Sequence, residues 1–111
     1  MRNFAWAWIL WIALAATTVQ AGSVPVGTIE GTVIDAHGQP VAGASVVMQT
    51  SDGQHPHATH TGPTGHFQFT RFATGQYDLR AYFKGEYSDW VKRVPLRAKK
   101  PTEIRLRLNH R

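Results

Sequence analysis

The stretch that decides the fold reads Gly65-His66-Phe67-Gln68-Phe69-Thr70-Arg71-Phe72-Ala73-Thr74-Gly75-Gln76-Tyr77-Asp78-Leu79-Arg80-Ala81-Tyr82. Before Gly75, Phe67 and Phe69 alternate with polar residues. After it, Tyr77 and Leu79 alternate in the same way. An apolar residue at every second position predicts a half-buried β-strand, since no helix would place these pairs on one side. The glycine-containing turn predicts that the two strands pair as an antiparallel hairpin at the middle of an all-β core.

Five further strands are predicted around this hairpin, at residues 28–35, 44–50, 55–61, 87–94 and 103–108. Pro56 cannot donate a ladder hydrogen bond, so the strand at 55–61 is expected at a sheet edge. Short strands separated by glycine and proline, with no long helical period, predict a seven-stranded antiparallel Greek-key β-sandwich. The residues predicted to fill its core by parity are Ile29, Val33, Ala44, Val46, Met48, Phe67, Phe69, Tyr77, Leu79, Ala81, Ile104, Leu106 and Leu108.

Residues 1–21 have the layout of a secretory signal peptide. Arg2 supplies a basic start, residues 4–16 are largely apolar, and Ala21 closes a small-residue cleavage site. An uncleaved anchor is the alternative, but residues 4–19 number 16, fewer than the roughly 20 that span a bilayer. We predict a signal peptide at 1–21, a short lead at 22–27 and one domain at 28–111. After signal cleavage this domain has no stable membrane span and is periplasmic or secreted.

Residues 22–111 carry 11 basic and seven acidic side chains, and the chain has no cysteine. Without a disulfide, a small exported domain depends on apolar burial and hydrogen bonding for its stability. An exported basic domain is not expected to meet nucleic acid. Acidic protein surfaces, anionic glycans or lipid phosphates are the expected attractors, with solubility as the simpler reading of the charge.

The predicted turns and strands resemble a known family. The segments that carry the resemblance are Ile29-Glu30-Gly31-Thr32-Val33-Ile34-Asp35, Gly38-Gln39-Pro40-Val41-Ala42-Gly43-Ala44-Ser45-Val46, Thr61, Gly65-His66-Phe67-Gln68-Phe69 and Gly75-Gln76-Tyr77-Asp78-Leu79. Together they are similar to the carboxypeptidase regulatory-like domain, over about residues 28–108. The resemblance implies a transthyretin-like, or prealbumin-like, β-sandwich related to carbohydrate-binding-like folds. It also implies an accessory, non-catalytic role beside peptidases, outer-membrane receptors or adhesins.

A histidine-rich segment is one candidate site. His55 and His57 lie two apart and would share a face of a strand, where their imidazoles could bind Zn²⁺ or Cu²⁺. A third ligand would come from His60 through a bulge, or from His66 across strands. The alternative is a solvated polar edge that binds no ion, because no cysteine or paired carboxylate completes the set.

The aromatic residues Tyr82, Tyr87 and Trp90 are a second candidate site. Tyr82 has the outward parity of its strand, and exposed flat rings beside polar groups are what sugar rings stack on. The alternative is that Tyr87 and Trp90 close the core, since tryptophan is highly buried on average.

Catalysis is not predicted. Ser45 lacks the second glycine of a nucleophile elbow, and the seven acids are scattered without a pair for acid–base chemistry. The hydroxyisourate-hydrolysing branch of the transthyretin-like fold ends in Tyr-Arg-Gly-Ser, whereas this sequence ends Leu108-Asn109-His110-Arg111. The sequence thus predicts a non-enzymatic envelope module, without a cofactor, that binds a protein partner through its polar edge strand. Carbohydrate binding through the aromatics is the alternative, and metal binding by the histidines ranks below it.

Overall fold

The computed structural model describes residues 24–111, so the predicted signal peptide and the first two residues of the lead lie outside the described residues. The described chain is all β, with no helix long and apolar enough to cross a membrane in this range. Its eight strands are β1 (Val26–Ile34), β2 (Ser45–Thr50), β3 (His57–His60), β4 (His66–Ala73), β5 (Gly75–Phe83), β6 (Glu86–Ser88), β7 (Val91–Leu96) and β8 (Thr102–His110).

The strands form two layers that share β8. One layer, sheet A, contains β4, β1 and the first part of β8. The other layer, sheet B, contains β3, β2 and β5, followed by β6 and β7, and it ends on the last part of β8. The β-sandwich is therefore closed on one side by β8 and open on the other, where β3 and β4 are the end strands.

Two details differ from the predicted seven antiparallel strands. The strand expected at 87–94 is divided into β6 and β7, because the buried Ser88 hydroxyl accepts the Ala81 N–H at 2.9 Å and donates to the Asp89 carbonyl at 3.0 Å. These side-chain bonds replace ladder bonds at the break. In addition, β8 runs parallel to β1, with Gly31 opposite Ile104. The sheet path is therefore mixed, while the β-sandwich itself is confirmed.

The predicted hairpin is wrong. β4 pairs with β1, placing Phe67 opposite Gly31, whereas β5 pairs with β2, placing Leu79 opposite Met48. The two strands lie in different layers and contribute their apolar faces to one core. Thr74 joins them, and its N–H donates to the Pro25 carbonyl at 3.1 Å. Period-two alternation determines which face of a strand is buried, but it does not determine which edges pair.

The core agrees closely with the parity prediction. Of the 13 predicted residues, all except Ile104 are buried, and Ile104 is half-buried. Ile104 lies opposite Gly31, which has no side chain to cover it. Three buried hydrophobic residues were not predicted, namely Val41, Val94 and Leu96. The parity of β7 shifts at a bulge where Arg93 takes a φ of +54°, so counting along the sequence misassigns Val94, while Leu96 lies beyond the predicted strand.

Gly31 is required by close packing between β1, β8 and β4. A Cβ at this position would lie 2.1 Å from the Ile104 carbonyl oxygen and 2.9 Å from the Phe67 ring. The backbone oxygen cannot move aside without breaking the β1–β8 pairing. Close backbone packing therefore explains why the Ile29–Asp35 segment has a glycine at position 31.

Candidate binding surfaces

The four histidines proposed as metal ligands are not brought together. β3 begins only at His57, and His55 before it takes a φ of +52° outside the strand. His57 faces the inner side, where its ring meets Phe72 edge-to-face with centroids 4.7 Å apart. His60 has the opposite parity, and His66 lies on sheet A with its Nε2 3.9 Å from a Glu30 oxygen. Within residues 24–111, no three His, Cys, Asp or Glu side chains are arranged to hold a metal ion.

The edge strand β3 has one free side. Within residues 24–111 it pairs with β2 alone, with Ser45 opposite His60 and Val47 opposite Ala58. The Thr61 N–H donates to the Ala44 carbonyl at 2.9 Å, so the backbone of Thr61 points towards β2. Backbone groups alternate along a strand, so those of Ala58 and His60 point away from β2. Both residues are exposed, and their N–H and C=O groups are therefore open to a further strand.

The other end strand, β4, is interrupted. Gly27 pairs with Phe72 and Thr28 with Thr70, which leaves Arg71 unpaired between them. Arg71 takes a φ of +65°, the conformation of a bulge residue that bends a strand and increases its twist. Such bulges discourage edge-to-edge pairing. Of the two end strands, β3 therefore offers the less distorted edge.

A row of side chains crosses the outer face of sheet B. The cross-strand pairs that define this aromatic row are His60–Ser45, Ser45–Tyr82, Tyr82–Tyr87 and Tyr87–His110. Residues paired across strands project to the same face. The Tyr87 and His110 rings are stacked with centroids 5.2 Å apart, while Tyr82 is 52% exposed. The predicted aromatics Tyr82, Tyr87 and Trp90 therefore lie on one surface. Trp90 is linked to Tyr87 because both rings contact Arg80.

Arg80 is the centre of this surface. Its guanidinium carbon lies 4.8 Å from the centroid of the Trp90 ring and 5.7 Å from that of Tyr87. At these distances the rings attract the cation. Trp90 and Tyr87 are half-buried, so neither closes the core nor stands fully exposed. Arg80 has the same outward parity as Tyr82. That alternation along the sequence could have placed Arg80 on the outer face of sheet B.

The carboxylates near this face are already bound. Asp78 has outward parity but is only 5% exposed, and its Oδ1 accepts bonds of 2.9 Å from the Ser51 hydroxyl and the Arg93 N–H. The Asp89 Oδ1 lies 2.5 Å from His110 Nε2. That hydrogen bond is the main cause that lowers the pKa of the exposed Asp89 carboxyl. His110 was not foreseen, because the irregular pairing of β6 with β8 turns it outward.

Ser45 and His60 are the one serine–histidine pair in register among the described residues of this face. A nucleophile needs a base within hydrogen-bond reach, and that base needs a third group to orient it. Among the described residues, no hydrogen bond joins Ser45 to His60, and no carboxylate forms an ion pair with His60.

Comparisons with known proteins agree with the fold. The chain is similar in structure to part of the TIE protein of Bacillus anthracis, with a TM-score of 0.57, 11% identity, and coverage of 76% of this chain and 17% of that one. It is also similar to part of BcpA, the major pilin subunit of Bacillus cereus, with a TM-score of 0.57, 16% identity, and coverage of 77% and 31%. The chain therefore spans less than a third of either protein.

No curated protein sequence matches the chain significantly. A family model does match residues 28–109, which include all the segments that carried the resemblance noted above. These residues make up most of the chain and all of β2–β7. The chain belongs to the carboxypeptidase regulatory-like domain family.

Proposed function

We propose that this domain is a non-catalytic binding module of the cell envelope, and that it binds a protein partner by accepting an extended segment beside β3. The observation that carries the proposal is the free side of β3, where Ala58 and His60 direct their backbone groups away from β2. Strand addition supplies affinity through main-chain hydrogen bonds. The partner segment would extend sheet B by one strand.

The envelope location rests on the signal-like residues 1–21. The non-catalytic role rests on family membership and on the chemistry of the described residues. Ser45 is paired in register with His60, and within residues 24–111 no carboxylate forms an ion pair with that imidazole. His110, which does pair with Asp89, stacks on the Tyr87 ring. Both arguments support an accessory module without assigning its partner.

Site-specific photo-crosslinking in the native envelope tests the proposal. A photoreactive phenylalanine analogue at position 60 is expected to capture a partner, whereas the same group at Gln68 on β4 is not. Ala58→Pro should abolish capture, because proline lacks the N–H that an added strand would use. Ala58→Ser keeps that N–H and is the matched control. Capture from position 68, or capture from position 60 that survives Ala58→Pro, would contradict strand addition at β3.

Carbohydrate binding is the second candidate, and the 52% exposure of Tyr82 favours it. Against it, the Trp90 ring has Arg80 over it, and Tyr87 contacts both Arg80 and the stacked His110 ring. Sugar stacking needs an open ring face. A glycan array on wild type, Tyr82→Ala and Trp90→Ala separates the candidates, because only sugar recognition predicts binding that both variants lose.

A further inference from the structure

We propose that the outer face of sheet B, centred on Arg80, binds an acidic segment of a partner protein. This surface reaches β3 at Ala58, but the inference does not require strand addition. It rests on the geometry of Arg80, on the charges around it and on the side chains that flank it.

The guanidinium of Arg80 is preorganised for binding a ligand. The rings of Trp90 and Tyr87 lie 4.8 Å and 5.7 Å from its central carbon. Contact with ring faces restrains the side chain but leaves the N–H groups at the rim of the planar guanidinium free. A planar fork of donors matches a carboxylate, which it binds through two parallel hydrogen bonds. Restraining the fork in advance lowers the entropy lost on binding.

The charge of Arg80 is not neutralised within the domain. Both ion pairs found in residues 24–111 involve histidines, His66 with Glu30 and His110 with Asp89. The nearest outward carboxylate on β5, that of Asp78, is buried and already accepts two hydrogen bonds. Residues 22–111 have 11 basic side chains against seven acidic ones. A partner that places a carboxylate here therefore meets a domain of net positive charge, in which the carboxylates of Asp78 and Asp89 already have hydrogen-bond partners.

The neighbours of Arg80 suit a protein segment. Arg80 pairs with Val47, which pairs in turn with Ala58, so a small apolar strip lies beside the guanidinium. On the other side, the aromatic row presents the exposed Tyr82. Tyrosine, tryptophan and arginine are the residues most enriched among those that dominate protein–protein binding energy. The covered faces of Trp90 and Tyr87 disfavour a sugar ring at the same place.

Fluorescence anisotropy tests the proposal with a labelled peptide of alternating glutamate and alanine. A length of about ten residues suffices to cross the sheet at about 3.3 Å per residue. The full chain as exported by its host is titrated at physiological ionic strength, where long-range attraction is screened beyond about 8 Å. Oligogalacturonate and vesicles of phosphatidylglycerol with phosphatidylcholine serve as the other anionic probes.

Arg80→Gln is expected to weaken peptide binding about tenfold or more, because it removes a charge-assisted pair. Arg80→Lys keeps the charge but loses the fork, and binding should fall by an intermediate factor. Arg105→Gln, which removes an equal charge from the outer face of sheet A, should change binding by less than about twofold. Melting curves of the variants confirm that the fold is retained.

Three outcomes would overturn the proposal. The first is peptide binding that falls equally in Arg80→Gln and Arg105→Gln, which would mean that net charge alone attracts the peptide. The second is Arg80-dependent binding of oligogalacturonate or of vesicles that exceeds binding of the peptide. The third is no peptide binding by the wild-type chain. Failure of crosslinking at position 60 would leave this inference intact, so the two proposals fail separately.

Discussion

The outer faces of the two sheets differ in how their charged side chains are arranged. On sheet A, β8 presents Glu103 and Arg105 beside Glu30 and Thr32 of β1. Glu30 also receives a 3.4 Å hydrogen bond from the Gln68 side chain of β4. Charges of both signs are interleaved there. On sheet B, the rings of Trp90 and Tyr87 lie beside the Arg80 guanidinium. The carboxylates of Asp78 and Asp89 there have partners of their own.

The outer face of sheet A therefore has the character of an ordinary solvated surface, whereas the outer face of sheet B has features that suit a binding partner. Mixed, exposed charges contribute little to stability and keep a protein soluble. An arginine that neighbouring rings already restrain loses less conformational freedom when a partner binds it. Sheet A also supplies the close packing at Gly31. We therefore propose that sheet A mainly supplies the framework and that sheet B carries the binding surface.

The largest expected effect is on the framework. Gly31→Ala should cost at least about 4 kcal/mol of unfolding free energy, because the new Cβ would meet a backbone oxygen at 2.1 Å. Gly62→Ala is the matched control, since no atom lies within 4 Å of a Cβ there. Thermal unfolding followed by circular dichroism measures both. If Gly31→Ala and Gly62→Ala have the same melting temperature, close packing at Gly31 does not make sheet A the framework.

The next effect concerns the core between the sheets. Phe67→Ala should lower the free energy of unfolding by about 3–5 kcal/mol, because Phe67 is 2% exposed and leaves a cavity. Gln68→Ala, on the outer face of the same strand, should change it by less than about 0.5 kcal/mol. Urea titrations compare the two variants. Equal midpoints would contradict the assignment of β4 faces.

A smaller effect is expected at Asp78 on sheet B. Asp78→Ala removes the acceptor of the Ser51 hydroxyl and of the Arg93 N–H, at a cost of about 1–3 kcal/mol. Gln76→Ala, exposed on the same strand, is the control. Urea titration measures the loss. An Asp78→Ala variant as stable as the control would mean that this carboxylate is a free charge on the face rather than a structural brace.

The smallest effect is a change in a pKa. His110→Ala should raise the pKa of the Asp89 carboxyl towards its usual value, because the hydrogen bond from His110 is the main cause that lowers it. A lowered folded-state pKa stabilises the fold above the unfolded value of about 3.9, and that contribution is lost as pH falls through the folded value. Carbon-detected NMR titration of Asp89 measures the shift, with His60→Ala as the control. An unchanged pKa would mean that the two side chains are not paired in solution.

The sequence predicts the fold class and the buried faces well, since period-two alternation is a direct consequence of strand geometry. It does not predict strand pairing, which is why β4 and β5 were expected as a hairpin. Bulges cause further errors in parity. The positive φ values of Arg71 and Arg93 shift the parity of β4 and β7, and no local sequence signal marks arginine for that conformation.

The candidate surfaces were predicted unevenly. Tyr82 was placed outward by parity, and the structure agrees. The role of Arg80 depends on Trp90, which lies outside the strands, so its contact with the ring follows from tertiary packing alone. The histidine cluster looked coherent along the sequence, but Pro56 precedes β3 and His55 falls outside it. Spacing along a chain predicts a shared face only where the strand is regular.

Amide chemical-shift mapping with the glutamate–alanine peptide tests the central claim most directly, because it compares both outer faces in one experiment. The account predicts that the signals of Val47, Arg80 and Tyr82 move on titration while those of Thr32 and Arg105 stay in place. Shifts confined to Thr32, Arg105 and their neighbours on sheet A would contradict it.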